Sequence, residues 1–95
     1  MDNRSRRARE IYSAINDILY SYWDPIGMRG ALPKDEYEAY VGKVYRALVD
    51  GKSEFGLIRL LTSMENNSLG VRAPMSRKTE AARRLLALDV RLSPQ

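Results

Sequence analysis

Apolar residues recur at helical spacing along most of the chain. From Ser5 to about Tyr22 they fall three or four positions apart and therefore share one face of a helix; they are Ile11, Ala14, Ile15, Ile18, Leu19 and Tyr22. The stretch from Trp23 to Pro33 contains two prolines and two glycines, which predict the end of this first helix and an unusually long connection after it.

A second helix is predicted from about Glu36 to Asp50. Asp35 precedes it as a capping residue, and Glu38 stands at the spacing of a capping box. The predicted inner face carries Tyr37, Val41, Val44 and Leu48. Gly51 is suited to the left-handed residue that commonly ends a helix.

Two further helices are predicted in the second half of the chain. Ser53 is expected to cap the third, whose inner face carries Leu57, Ile58, Leu60, Leu61 and Met64 and which stops in the run from Glu65 to Gly70. The fourth follows Pro74 and Ser76, continues through Ala81, Ala82, Leu85, Leu86 and Leu88, and is expected to end near Leu92.

These elements predict an all-α fold, a compact three- or four-helix bundle. Short connections favour antiparallel neighbouring helices, and no segment shows the alternation of a sheet strand. The length fits a single helical domain over residues 1–95, with residues 1–5 and 93–95 expected to fray.

The composition argues against several classes of chemistry. The chain has neither cysteine nor histidine, so the usual thiol and imidazole nucleophiles, bases and metal ligands are missing. The acids Asp24, Asp35, Glu36 and Glu38 do not match the spacing of a calcium-binding loop. We therefore expect no enzyme activity, no cofactor and no bound metal.

The sequence also gives expectations about location. The arginine-rich start is not followed by the apolar run of a secretory signal, and no stretch has the roughly 20 apolar residues of a membrane span. The lack of cysteine fits a reducing compartment. We expect a cytoplasmic protein.

The segment after the first helix is the best candidate for binding another protein. It joins a tryptophan and a carboxylate to a glycine-flanked tip, and aromatic, methionine and arginine side chains are enriched in interfaces. The predicted protein-binding residues are Trp23, Asp24, Met28, Arg29, Glu36 and Tyr40. The structural alternative is that Trp23 plugs the bundle and Asp24 makes a local turn bond; adjacent, exposed Tyr12, Tyr20 and Tyr40 would favour the interface.

The net charge of +4 is concentrated at the two ends of the chain, which favours a second hypothesis. If the first and last helices are neighbours, their arginines, together with Lys78, could form a basic surface for nucleic acid. The residues of this alternative site are Arg4, Arg7, Arg77, Arg83 and Arg84. An ordinary solvated helix face is the competing interpretation.

Trp23-Asp24-Pro25-Ile26-Gly27, followed by Asp35-Glu36-Tyr37 with Tyr40, resembles a group of small uncharacterised bacterial helical proteins. The resemblance extends over about residues 11–88 and includes Glu65 and Leu69-Gly70. It implies a small helical fold, but no activity and no residue roles. Some small proteins of this general kind act as immunity proteins beside toxin genes.

The sequence therefore favours a non-enzymatic protein that acts by binding another protein, with a toxin as the concrete candidate partner. Nucleic-acid binding is the alternative, no membrane is expected, and either a monomer or a homodimer is compatible with the sequence. A basic nuclease toxin fits poorly, because inhibitors of such enzymes usually present strong negative charge.

Overall fold

The computed structural model describes residues 3–25 and 37–91 and contains four α-helices. They are α1 (Asn3–Ile18), α2 (Val41–Val49), α3 (Glu54–Met64) and α4 (Met75–Leu86). The described ranges contain no strand. The predicted all-α helical bundle is thus confirmed. None of these helices combines the length and the apolar character needed to cross a bilayer.

α1 and α3 are each followed by one π-helical turn, which is wider than a turn of α-helix. After α1, the turn Leu19–Trp23 is closed by the Asp24 N–H, which donates to the Leu19 carbonyl at 2.9 Å. After α3, Glu65–Leu69 is closed in the same way by the Gly70 N–H and the Glu65 carbonyl, at 2.8 Å. Each turn stops at a left-handed residue, with φ of 36° at Asp24 and 70° at Gly70. Such a residue is a common device for ending a helix.

The start of the second helix differs from the prediction. Tyr37 lies in a non-helical turn, Glu38–Tyr40 form one 3₁₀ turn, and α2 proper begins at Val41 without a side-chain cap. Tyr37 is fully buried, so its packing rather than local capping determines the backbone here. Asp35 and Glu36, the other parts of the expected capping box, lie outside the described residues.

Two predicted helix signals are confirmed. Gly51 has a φ of 79° at the end of the second helix. The Ser53 Oγ accepts a hydrogen bond from the Gly56 N–H at 3.1 Å and caps α3. Both positions carry residues whose local chemistry leaves few alternatives.

The fourth helix is shorter than predicted. It ends at Leu86 rather than near Leu92, and the Asp89 carboxylate accepts the N–H of Arg91, which competes with helical hydrogen bonding. Leu86, one of the apolar residues of this predicted helix, is 43% exposed. The helix therefore ends six residues earlier than the periodicity suggests, although Leu88 and Val90 beyond its end still pack against the core.

The core lies where α4 packs against α3 and against the turn that follows α1, with α2 packed on α1. Its largest fully buried side chains come from all parts of the chain and include Trp23, Tyr37, Ile15, Leu19, Leu57, Leu61 and Leu85. The aromatic residues of the segment after α1 therefore lie in the centre of the packing.

Candidate functional site

A polar cluster lies inside this core and is centred on Glu65, whose side chain is completely buried. Glu65 Oε2 accepts hydrogen bonds from the indole Nε1 of Trp23 at 2.9 Å and from the backbone N–H of Ala73 at 3.1 Å. Glu65 Oε1 accepts from the Lys78 Nζ at 3.0 Å. Lys78, 5% exposed, also donates to the Thr62 hydroxyl at 3.0 Å. The buried charges are thus paired and hydrogen-bonded, as burial requires.

A second carboxylate, Asp24, is buried beside this cluster. Its Oδ1 accepts from the Tyr37 hydroxyl at 2.8 Å, and its Oδ2 lies 3.7 Å from the Arg77 guanidinium. The Trp23 ring packs against Tyr37 at 5.4 Å and edge-on against Tyr40 at 5.9 Å, measured between ring centroids. The segment Trp23–Asp24 therefore ties α1, the turn before α2, and α4 together.

These contacts change the interpretation of the predicted protein-binding residues. Trp23 is fully buried and Asp24 is 2% exposed, so neither presents a surface to a partner in this conformation. The plug interpretation of Trp23 agrees with the structure, and the Asp24 carboxylate makes a bond to Tyr37, 13 residues further along the chain. Tyr40 is half-buried. Met28, Arg29 and Glu36 lie outside the described residues.

The three tyrosines whose joint exposure would favour an interface are not exposed together. Tyr12 is 43% exposed, but Tyr20 is only 9% exposed, so Tyr12, Tyr20 and Tyr40 do not form one exposed set. Tyr12 instead contacts Tyr45, with ring centroids 5.6 Å apart.

The arginines of the nucleic-acid hypothesis contact the protein itself where their side chains are described. Arg83 pairs with Glu54 at 3.1 Å, and Arg84 pairs with Glu80 at 2.7 Å and stacks over the Tyr22 ring. Arg77 approaches Asp24 as described above. Lys78, expected in the same basic surface, is buried. The side chain of Arg4 lies outside the described part of the chain.

Arg7 joins the two ends of the fold. Its Nε donates to the Arg91 carbonyl at 3.1 Å and its Nη2 donates to the Asp89 carbonyl. Asp89 in turn holds Arg91 through two side-chain hydrogen bonds of 2.9 Å. The hydrogen bond from the Arg91 side chain holds the pKa of Asp89 well below its usual range, and the same bond raises the pKa of Arg91.

A surface beside α2, bounded by α1 on one part and by Val90 and Arg91 on the other, is referred to as the α1–α2 groove. It consists of two adjoining depressions that share Tyr45. The first, of about 360 Å³, is lined by Ala8, Arg9, Tyr12 and Tyr45. The second, of about 500 Å³, is lined by Tyr45, Leu48, Val49, Val90 and Arg91. Val49 is 54% exposed, so this apolar surface is open to solvent.

A separate depression of about 380 Å³ lies between α3 and the start of α4. Phe55 and Met75 are 68% and 60% exposed at its edge, but Thr62, Ser63, Asn66 and Asn67 supply half of its lining. It is therefore more polar than the first depression of the α1–α2 groove. Neither Asp24 nor Glu65 lines either surface.

The central role of Glu65 and Lys78 was missed from the sequence. A helical-spacing signal was present, because Glu65 follows Leu57 and Leu61 at four-residue intervals and Lys78 precedes Ala81, Ala82 and Leu85 at three, four and seven. Charged residues on an apolar stripe are rarely fully buried unless paired, and their pairing depends on packing between α3 and α4.

The described acids do not form a metal site. The part of the chain that the structure describes has no group of three or more Asp and Glu side chains placed to hold a metal ion. The buried carboxylates serve as hydrogen-bond acceptors for the fold, and the first depression of the α1–α2 groove is the most apolar open surface described above. No protein-family model, curated protein or solved structure matches the chain.

Proposed function

We propose that the protein is a non-enzymatic binding module that takes up a segment of another protein in the α1–α2 groove. The observation that carries this proposal is the pair of depressions that share Tyr45, with the apolar side chains Tyr12 and Val49 about half exposed at them. Exposed, contiguous apolar surface is costly in water unless a partner covers it. Tyrosine at its centre suits an interface, because the ring packs while the hydroxyl stays hydrated.

Charge supports an acidic amphipathic segment as the partner. Arg9 and Arg91 are the only charged residues among the described side chains that line the groove, and the whole chain carries a net charge of +4. Opposite charge accelerates the encounter and fixes orientation, while the apolar surface supplies affinity. An acidic partner is also compatible with the poor fit to a basic nuclease.

A toxin is the concrete partner that the resemblance suggests, and under this proposal it would present its acidic, apolar segment to the groove. We also propose a cytoplasmic location, on the ground of the cysteine-free sequence. Nucleic-acid binding is the weaker candidate, because Arg83 and Arg84 are paired with carboxylates.

The experiment is quantitative co-purification with the tagged full chain from the cells that express it. Tyr12→Ser combined with Val49→Ser should lower recovery of the specific partner about tenfold, the effect of removing an anchor worth roughly 1.4 kcal/mol. The matched control is Phe55→Ser combined with Met75→Ser, which removes apolar surface on the other side of α3 and should leave recovery unchanged.

Equal recovery with both double variants, or loss with the control alone, would reject the groove as the interface. A second copy of the chain as the co-purifying species would contradict a foreign partner. Circular dichroism of all variants establishes that they are folded before recovery is compared.

A further inference from the structure

The outer face of α3 carries two adjoining depressions, and we call this face the α3 surface. One is the depression between α3 and the start of α4 described above. The other, of about 340 Å³, is lined by Lys52, Gly56, Arg59 and Leu60. Arg59 lines both depressions, so the two are continuous at this residue. Among the described residues, the α3 surface is lined by two cationic side chains and by no carboxylate.

The two cations of the α3 surface are available to an outside anion. Lys52 and Arg59 are both exposed, and neither forms an ion pair with a carboxylate in the described part of the chain. Glu54, the acid that stands between them in the sequence, is paired with Arg83 at 3.1 Å. Lysine and arginine in such a position are suited to charge-assisted hydrogen bonds with phosphate.

An accessible aromatic ring lies beside these cations. Phe55 is 68% exposed, and the Arg59 guanidinium lies over its ring, 5.8 Å from the centroid. The aliphatic stem of Lys52 lies against Gly56, with its Cβ and Cδ 3.4 and 3.6 Å from the position that a Cβ of this glycine would occupy. The α3 surface therefore combines an open aromatic face with two positive charges on the same helix and its preceding turn.

The π-helical turn after α3 adds amide groups to the α3 surface. Asn66 and Asn67 are exposed and line the same depression as Phe55. The Asn67 Nδ2 donates to the Ser63 hydroxyl at 3.0 Å, which orients its amide. A side-chain amide offers both donors and an acceptor, as the edges of nucleic-acid bases require.

We propose that the α3 surface binds single-stranded nucleic acid. An unpaired base stacks on Phe55, the neighbouring phosphates contact Lys52 and Arg59, and the amides of Asn66 and Asn67 face the base edges. Sites of this class combine a basic surface with aromatic rings on which unpaired bases stack, whereas a duplex keeps its base faces stacked inside. The inference is independent of the proposed function, because the α3 surface shares no residue with the α1–α2 groove or with the arginines at the two ends of the chain.

The test measures fluorescence anisotropy of a labelled strand of about twelve thymidines with the full chain, between about 50 and 200 mM salt. Lys52→Gln combined with Arg59→Gln should weaken binding. It should also reduce the slope of log affinity against log salt by about 1.4, because each phosphate contact on a single strand contributes roughly 0.7. Lys43→Gln combined with Arg46→Gln, on α2, removes the same net charge and is the matched control, with an expected slope close to wild type.

Phe55→Leu examines the aromatic ring separately from the charges. It keeps an apolar side chain at an exposed position but removes the stacking face, so affinity for the strand should fall at least about fivefold while the salt slope stays the same. Binding of a duplex of the same length should be unaffected by this substitution. Circular dichroism establishes that each variant is folded.

Three results would overturn the proposal. The first is no binding of the strand even at about 50 mM salt. The second is an unchanged salt slope in the Lys52 and Arg59 variant, or an equal loss of slope in the α2 control. The third is unchanged affinity of Phe55→Leu, or equal binding of an acidic peptide of about twelve glutamates, which would show attraction of charge without recognition of bases. None of these results bears on co-purification that depends on Tyr12 and Val49.

Discussion

The indole Nε1 of Trp23 donates a 2.9 Å hydrogen bond to Glu65 Oε2, 42 residues further along the chain. The bond links the last residue of the turn that ends α1 to the first residue of the turn that ends α3. With Lys78 on the other oxygen of Glu65, it fixes α1, α3 and α4 at one point. The Trp-Asp segment, conspicuous in the sequence, is therefore explained by the fold.

Replacing Trp23 by phenylalanine should destabilise the fold. The ring can still pack, but Glu65 Oε2 loses a donor in a buried site, which costs about 1 to 3 kcal/mol. The measurement is urea unfolding followed by circular dichroism. Phe55→Leu, at a side chain that is 68% exposed, is the control and should stay within about 0.5 kcal/mol of wild type. Equal stability of Trp23→Phe and wild type would contradict the role assigned to the indole.

The Glu65–Lys78 pair should show strong coupling in a double-mutant cycle. Glu65→Gln leaves the buried ammonium of Lys78 without its counter-charge and should cost about 3 to 5 kcal/mol. Lys78→Met likewise leaves the buried carboxylate of Glu65 without its counter-charge. The double variant should be less destabilised than the sum of the two, with a coupling of at least about 1 kcal/mol.

The exposed pair Glu80–Arg84 provides the comparison for this cycle. Its partners are about half exposed and lie one helical turn apart, so its coupling should be about 0.3 to 0.5 kcal/mol. Similar coupling energies for the buried and the exposed pair would show that burial does not determine the contribution of Glu65.

Two glycines should respond to alanine in opposite directions. Gly70 has a φ of 70° with open space around its Cα, so Gly70→Ala should cost about 1 kcal/mol through backbone strain alone. Gly42 is exposed in α2, and an added Cβ would meet the Tyr12 hydroxyl at an ordinary 3.8 Å. Gly42→Ala should therefore stabilise by about 0.5 to 1 kcal/mol. Thermal unfolding compares the two, and a stabilising Gly70→Ala would argue against the left-handed turn.

The contact between Asp89 and Arg91 should persist into the acid range. The folded pKa of Asp89 is lowered by its hydrogen bonds to Arg91, so this contribution is fully present above the ordinary aspartate pKa of about 3.9 and disappears only as the pH falls through the lower folded value. The measurement is an NMR titration of the Asp89 carboxyl, with the Arg91→Ala chain as reference. A midpoint equal to that of the Arg91→Ala chain would mean that the Asp89–Arg91 contact is not maintained in solution.

The sequence was sufficient for the features that depend on local chemistry. The periodicity located the four helices, Ser53 predicted the start of α3, and Gly51 predicted the end of α2, because caps and left-handed glycines are determined by a few neighbouring residues. The predicted start of the second helix near Glu36 was wrong because the packing of Tyr37 overrides the local capping signal. The predicted end of the fourth helix near Leu92 was wrong because the Asp89–Arg91 contact competes with helical hydrogen bonding after Leu86.

The candidate site could be predicted less well from the sequence than the helices. Trp23 was noticed, but whether a tryptophan lies inside or outside depends on a partner 42 residues away. The α1–α2 groove depends on Val90 returning to α2 after α4 ends early, which no local pattern indicates. Arg7 was assigned to a basic surface, whereas its side chain donates to the backbone carbonyls of Asp89 and Arg91.

Photo-cross-linking in the cells that express the protein is the most direct test of whether the α1–α2 groove is the binding surface. A photoreactive phenylalanine analogue is placed singly at Tyr12, Val49, Phe55 or Trp23 in otherwise unchanged chains, and cross-linked products are identified by mass spectrometry. We expect one foreign protein to be captured from positions 12 and 49, through an acidic, apolar segment, and none from positions 55 and 23. Capture of a partner from position 55 or 23, with none from 12 and 49, would contradict the assignment of the α1–α2 groove as the binding surface.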